Sequence, residues 1–209
     1  METTNGIIHA CTIKSDSQGT LIPDEQISAT IKSDALTWIH LDANEDSCRE
    51  WLKKELDYLD SIIIDALLAE ETRPRILEFG HGALLILRGV NLNKDAEPED
   101  MISIRLWIDN ERIISLQRRP LKAVKDIHAR LLSKKGPRNL GEFIAMLVGF
   151  LFERMEPVFS DLDEQLDDIE ETVMEDPDTS ERTKITQIRE QAIMFRRYMS
   201  PQRDAIAYL

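Results

Sequence analysis

Cysteine and histidine are scarce in this chain, which has two cysteines and four histidines among 209 residues. Cys11 and Cys48 form no CxxC pair, so we expect two reduced thiols and neither a disulfide nor a thiolate metal site. No histidine stands four residues from another ligand as in a zinc-binding helix, and we expect all four to be isolated. His40 and Asp42 share a sheet face, which favours a hydrogen-bonded structural pair over a metal site.

Long apolar runs and the motifs of common enzymes are also missing. The longest apolar run, Phe143–Phe152, falls short of the roughly 20 residues that span a bilayer, so we expect a buried helix segment. The polar start, Met1–Asn5, does not indicate a secretory leader. No Walker loop, Rossmann glycine motif or GxSxG elbow is present. The sequence therefore predicts no enzyme activity and no cofactor.

Positive charge is in deficit, because the formal net charge is −13. Such a chain is a poor partner for nucleic acid but attracts cations. One stretch, Pro120–Arg138 and the residues just before it, is basic, which leaves a nucleic-acid or lipid-headgroup patch as an alternative. No aromatic residue interleaves with its charges, so we expect no nucleic-acid partner. The basic residues are Arg118, Arg119, Lys122, Lys125, Arg130, Lys134, Lys135 and Arg138.

Residues 1–138 alternate short apolar runs with helical patterns, separated by turn signals. We predict an α/β domain, of the α/β or α+β class, in which helices cover a mixed sheet. The predicted strands are Gly6–Lys14, Thr37–Ala43, Arg75–Phe79, Ala83–Leu92, Met101–Asp109 and Arg112–Gln117. The predicted helices are Glu45–Leu56, Ser61–Glu70 and Pro120–Ser133.

The pattern of residues 139–209 predicts a second region, a long antiparallel helical hairpin. Apolar residues recur at alternating steps of three and four in each half, which is the seam of two packed helices. The first helix should end near Asp176, and Asp178 with Glu181 should cap the next. The seam positions are Phe159, Leu162, Leu166, Ile169 and Val173, then Ile185, Ile188, Ala192, Phe195, Met199, Ile206 and Leu209. Because Leu209 lies on the seam without a stop signal, we expect the chain to be cut before further helices.

The first hairpin helix is strongly acidic, with no Lys or Arg between Met155 and Glu181. This surface either concentrates divalent cations or is a solvated face neutralised by the basic second helix. Asp163 and Glu164 stand one turn before Asp167 and Asp168, near enough to share a hard cation, so these four are the candidate metal ligands. The acidic residues are Glu156, Asp161, Asp163, Glu164, Asp167, Asp168, Glu170, Glu171, Glu175, Asp176 and Asp178.

Several segments resemble the ZntB branch of the CorA-type divalent-cation transporters, in the same order along nearly the whole chain. The longest match is Met194-Phe195-Arg196-Arg197-Tyr198-Met199-Ser200-Pro201-Gln202-Arg203-Asp204. The others are Leu68-Ala69-Glu70-Glu71-Thr72-Arg73-Pro74-Arg75, Leu87-Arg88-Gly89-Val90-Asn91-Leu92-Asn93 and Ser103-Ile104-Arg105-Leu106-Trp107. The resemblance implies a cytoplasmic domain of an inner-membrane transporter, cut before its stalk and membrane helices.

The resemblance also implies a homopentamer whose soluble domains form a funnel below the pore. Its cargo would be Zn²⁺, with Mg²⁺, Co²⁺, Ni²⁺ and Cd²⁺ as further candidates. Membrane contact would be made through segments beyond Leu209, and this part would be soluble at the cytoplasmic face of the inner membrane. The alternative from another class is a free-standing soluble interaction protein that binds a partner through its helical hairpin.

Overall fold

The computed structural model describes residues 6–175 and 181–209, which contain seven strands and six helices. In chain order the elements are β1 (Ile7–Ile13), β2 (Gly19–Leu21), α1 (Asp24–Ile31), β3 (Thr37–Asp42), α2 (Ser47–Glu55), α3 (Ser61–Leu68), β4 (Arg75–Phe79), β5 (Gly82–Gly89), β6 (Ile102–Ile108), β7 (Arg112–Gln117), α4 (Lys122–Leu132), α5 (Leu140–Glu175) and α6 (Arg182–Ala207).

The strands form a single seven-stranded sheet in the order β2-β1-β3-β7-β6-β5-β4. β3 and β7 pair in parallel at its centre, and every other pair is antiparallel. The predicted mixed sheet followed by two long helices is therefore confirmed. The last two predicted strands form an antiparallel hairpin, β6–β7, with its turn at Asp109-Asn110.

Each face of the sheet buries its own apolar core, as expected for a layered α/β domain. On one face, α1, α2 and α3 contribute side chains such as Ile31, Leu52 and Leu67, all at most 1% exposed. On the other face, α4 and the first turns of α5 contribute side chains such as Ile127 and Phe143. Burying side chains of this size stabilises the fold by about 1.5–3 kcal/mol each.

Helix α5 belongs to both regions of the molecule. Its first turns pack Phe143, Leu147 and Leu151 into the core of the sheet, whereas its last turns extend beyond the sheet together with α6. The 36 residues of α5 correspond to about 54 Å of helix. The division into residues 1–138 and 139–209 coincides with the loop before α5, and it stays a prediction.

The seam between α5 and α6 is closed at its base and open toward its tip. Phe159 and Phe195 meet edge to face with ring centroids 5.0 Å apart, next to Met155 and other apolar residues. Farther along, Ile169 and Ile188 are buried, but the predicted seam residues Leu166, Val173 and Ile185 are exposed. The predicted cap at Asp178 lies outside the described residues.

Candidate functional site

The acidic face of α5 is exposed along the described part of the helix. Asp163, Glu164, Asp167 and Asp168, the predicted metal ligands, are all exposed on its surface. Across residues 6–175 and 181–209, no three His, Cys, Asp or Glu side chains are grouped so as to hold a metal ion. A cation at these four carboxylates would therefore be attracted mainly by exposed charge, which salt screens.

The basic residues of α6 do not form ion pairs with this face within residues 6–175 and 181–209. The ion pairs of α6 are local, between Lys184 and Glu181 and between Arg203 and Asp204. The negative charges of α5 therefore keep their field in the surrounding solvent.

A cleft of about 730 Å³ lies between the hairpin and the loop that precedes β6. Its walls carry five carboxylates and one lysine, and its apolar floor includes Ile169 and Ile188. The acidic surface of α5 thus continues into a concave site. The charged lining residues are Glu97, Glu99, Asp100, Asp168, Glu190 and Lys184.

Helix α6 is anchored to the sheet by a buried glutamine. The Gln202 side chain accepts a hydrogen bond from the Arg88 backbone N–H at 2.6 Å and donates one to the Arg88 carbonyl at 3.0 Å. In the register of β4 against β5, these two backbone groups would pair with residue Arg73. Strand β4 begins only at Arg75, however, because Pro74 before it has no N–H to donate. The Gln202 amide therefore replaces a missing strand residue.

The Arg88 side chain joins three segments at the same junction. It donates to the carbonyls of Thr72, at 3.2 and 2.7 Å, and of Met101. Its guanidinium also lies 3.9 Å from the ring centroid of Tyr198 on α6, a cation–π contact. Arg88, Tyr198 and Gln202 all come from the segments that resemble the transporters, which gives those motifs a structural role.

Two further arginines also donate to backbone carbonyls of the α3–β4 region. Arg105 on β6 donates to the carbonyls of Ala69 and Glu70, at 2.7 and 3.3 Å, and Arg118 after β7 donates to the carbonyl of Leu68 at 2.7 Å. The three arginines therefore bind the C-terminal end of α3 and the chain that follows, where the helix dipole is negative. Burial, together with the charges of Arg118 and Arg88, lowers the pKa of Arg105 to about 10.

Three of the four histidines lie together between the sheet and α4, which corrects the expectation that they are isolated. The rings of His9 and His128 stack with centroids 3.8 Å apart, and His40 lies 5.9 Å from His9. The expected His40–Asp42 pair does not form, because His40 Nδ1 is instead 2.8 Å from the Ser115 hydroxyl. Pairing of His9 with His40 between β1 and β3 could have indicated part of this cluster.

The stacked histidines are held in their neutral forms. Burial, together with the nearby charges of His128 and Lys125, lowers the pKa of His9 to about 4. Burial also lowers the pKa of His40 to about 3, although its hydrogen bonds act to raise it. The pKa of His128 is lowered by burial as well. The cluster therefore opposes uptake of a proton in the folded state.

The fold is that of a solved cytoplasmic domain, which superposes on nearly the whole chain. The ZntB cytoplasmic domain from Vibrio parahaemolyticus RIMD 2210633 superposes with a TM-score of 0.81 over 98% of this chain and 79% of that one. The two sequences are 23% identical, so this likeness concerns the fold.

The family follows from the sequence. The family model described as CorA-like Mg²⁺ transporter protein matches residues 33–209, and the chain belongs to this family. The divalent cation transporter CmaX of Pseudomonas aeruginosa is 39% identical over 191 residues, 90% of this chain. The zinc transport protein ZntB of Pectobacterium atrosepticum is 32% identical over 203 residues, 97% of this chain. The resemblance noted from the motifs is thus confirmed.

The chain spans 54% of the length of the Pseudomonas relative and 61% of that of the Pectobacterium relative. Within the described residues, no helix combines the length and the apolar character needed to cross a bilayer.

Proposed function

We propose that this chain is the cytoplasmic domain of a divalent-cation transporter with zinc as its principal cargo. Support for zinc comes from the relatives named as zinc transport proteins, and support for a wider range of ions comes from the relative named as a divalent cation transporter. In the proposed assembly, five copies form a funnel below a pore in the inner membrane. The pore itself would be built by segments outside this chain.

The observation that carries the proposal is the exposed acidic face of α5. Its carboxylates form no ion pairs with α6 within the described residues, so they set a negative potential around the hairpin. A potential of this kind raises the local concentration of cations and the rate at which they arrive. The hairpin would thus attract divalent ions toward the pore without selecting among them.

Metal binding to the acidic face of α5 is expected to be weak and not specific for zinc, because this face offers carboxylates with no Cys or His among them, and such ligands favour hard ions. A hairpin variant, Asp163→Asn, Glu164→Gln, Asp167→Asn and Asp168→Asn, should lose most of the divalent binding measured by titration calorimetry. In the unchanged protein the affinity should fall steeply between about 0.01 and 0.15 M salt, since exposed charges are screened over that range.

A control variant removes the same charges elsewhere: Asp24→Asn, Glu25→Gln, Asp34→Asn and Asp57→Asn, all at exposed positions of the α/β domain. It should retain most of the binding of the unchanged protein. Zinc binding that is tight, insensitive to salt and equal in both variants would contradict a diffuse acidic site and direct attention to the histidines.

A further inference from the structure

A cavity of about 400 Å³ lies at the junction of the sheet, the α3–β4 connection and α6, next to the acidic cleft, with which it shares Glu99, Asp100 and Met194. Arg88 on β5, Arg105 on β6, and Arg118 and Arg119 in the chain after β7 line it, and Tyr198 lines it from α6. Ser103, on β6, adds a hydroxyl group to the same wall. The cavity is thus a concave site with a concentration of positive charge inside it.

These arginines form no ion pairs within residues 6–175 and 181–209. Arg105 is 1% exposed, and its Nε and Nη1 atoms have no hydrogen-bond partner there. The Nε atom of Arg118 is buried without a partner in the same way. A buried charge without a counter-charge is costly, and partial balance by backbone carbonyls leaves most of that cost in place. The arrangement would be stabilised by an anion in the cavity.

The carboxylates around the cavity supply this counter-charge only in part: burial lowers the pKa of Arg88, and the charge of Glu71 raises it by less. Glu70, Glu71 and Asp100 are exposed at its rim and Glu99 is half-buried, and none lies within ion-pair distance of the arginines. The other charges that act on Arg105 are those of Arg118 and Arg88, so its surroundings are positive. The rim carboxylates would repel large polyanions, which leaves a small anion as the ligand.

We propose that this cavity binds a single small oxyanion, such as phosphate or the phosphate or carboxylate group of a small metabolite. Guanidinium groups match the geometry of such anions and form charge-assisted hydrogen bonds to them. Because Arg88 contacts Tyr198 and its backbone is held by Gln202, an anion bound there stabilises the docking of α6 on the sheet. The site thereby links a soluble anion to the position of the hairpin.

Orthophosphate is the probe for this site, titrated into the whole chain at constant ionic strength with chloride as the balancing salt. Calorimetry should show saturable binding, and amide exchange at the Arg88 N–H should slow as the site fills. Arg119→Gln, at an exposed position, should weaken phosphate binding about tenfold, the effect of losing one charge-assisted contact. Glu71→Gln should strengthen binding, because it removes a repulsive charge from the rim.

Arg189→Gln is the matched control, since Arg189 is an exposed arginine on α6 outside this cavity. It should leave phosphate binding unchanged. Titration with acetate in place of phosphate tests whether a carboxylate group also binds in the cavity. Equal weakening by Arg119→Gln and Arg189→Gln would overturn the proposal, since it would indicate diffuse attraction. Equal slowing of amide exchange at the Arg88 N–H by phosphate and by chloride, at the same ionic strength, would also overturn the proposal. Neither result bears on cation transport, which is tested separately.

Discussion

Replacing Gln202 with methionine is expected to lower the free energy of unfolding by about 2–4 kcal/mol. Methionine has nearly the same shape, but it cannot bond to the Arg88 backbone N–H and carbonyl, which would then lack partners at the junction with α6. Each buried polar group that loses its partner costs about 1–3 kcal/mol. Urea denaturation followed by circular dichroism measures the change.

Gln187→Met is the matched control, because Gln187 is an exposed glutamine on the same helix, and its effect should stay within about 0.5 kcal/mol. Gln202→Glu gives a second check. A protonated carboxyl can donate to the Arg88 carbonyl, so the pKa of this buried group is raised on folding and the variant should lose stability as pH rises. If Gln202→Met lowered the free energy of unfolding no more than Gln187→Met does, the anchoring role of Gln202 would be wrong.

The second large effect is acid destabilisation caused by the stacked histidines. In the unfolded chain they accept protons near pH 6.5, whereas in the folded protein the pKa of His9 is about 4 and that of His40 about 3. The unfolded state therefore binds more protons between these values, so the free energy of unfolding falls as pH falls from about 6.5 to 4. His9 alone should contribute on the order of 1–2 kcal/mol over this window, because solvent screens the shift of a partly exposed group.

The variant His9→Phe keeps a stacked ring but removes one titrating group, and it should reduce the dependence of stability on pH between about 6.5 and 4, while His40 and His128 keep their contributions. Carboxylates also titrate in this range, and comparing the variant with the unchanged protein subtracts their effect. The control is His81→Gln, at an exposed turn, which should keep the full dependence. Identical curves for His9→Phe and the unchanged protein would show that the cluster does not resist protonation.

Most of the fold could be predicted from the sequence because its strands carry a strong local signal. β3, β6 and β7 are rich in Ile, Leu and Trp and are bounded by turn residues, and they lie within one or two residues of their predicted bounds. β2 and α1 were not predicted from the sequence. β2 has three residues, and α1 buries only Ile27 and Ile31 and begins after Pro23 without a side-chain cap, so neither repeats a pattern long enough to recognise.

The candidate sites show the same contrast between local and long-range information. The acidic face of α5 is a property of consecutive residues, so its exposure could be predicted from composition and spacing. The histidine cluster depends on β1 pairing with β3 and on α4 packing over both, and the arginine cluster depends on the register of β5 against β6. Such contacts join residues separated by more than a dozen positions, and single-sequence patterns do not encode that register.

Zinc and cobalt flux by the intact protein in liposomes tests the central claim, that the acidic hairpin attracts divalent cations without selecting among them. The hairpin variant should slow both ions by roughly threefold to tenfold at low ionic strength, because attraction by the hairpin depends on ion charge and both ions carry the same charge. The deficit should shrink at high salt, where the field of exposed carboxylates is screened. Selection should instead occur where the ion exchanges its hydration water, in the pore.

The control variant, with the same change in net charge on the α/β domain, should leave both fluxes nearly unchanged at each ionic strength. The expectation is therefore slower flux of both ions in the hairpin variant alone, with the zinc-to-cobalt ratio constant. A changed zinc-to-cobalt ratio that does not respond to salt would contradict it and indicate a specific metal site in this domain.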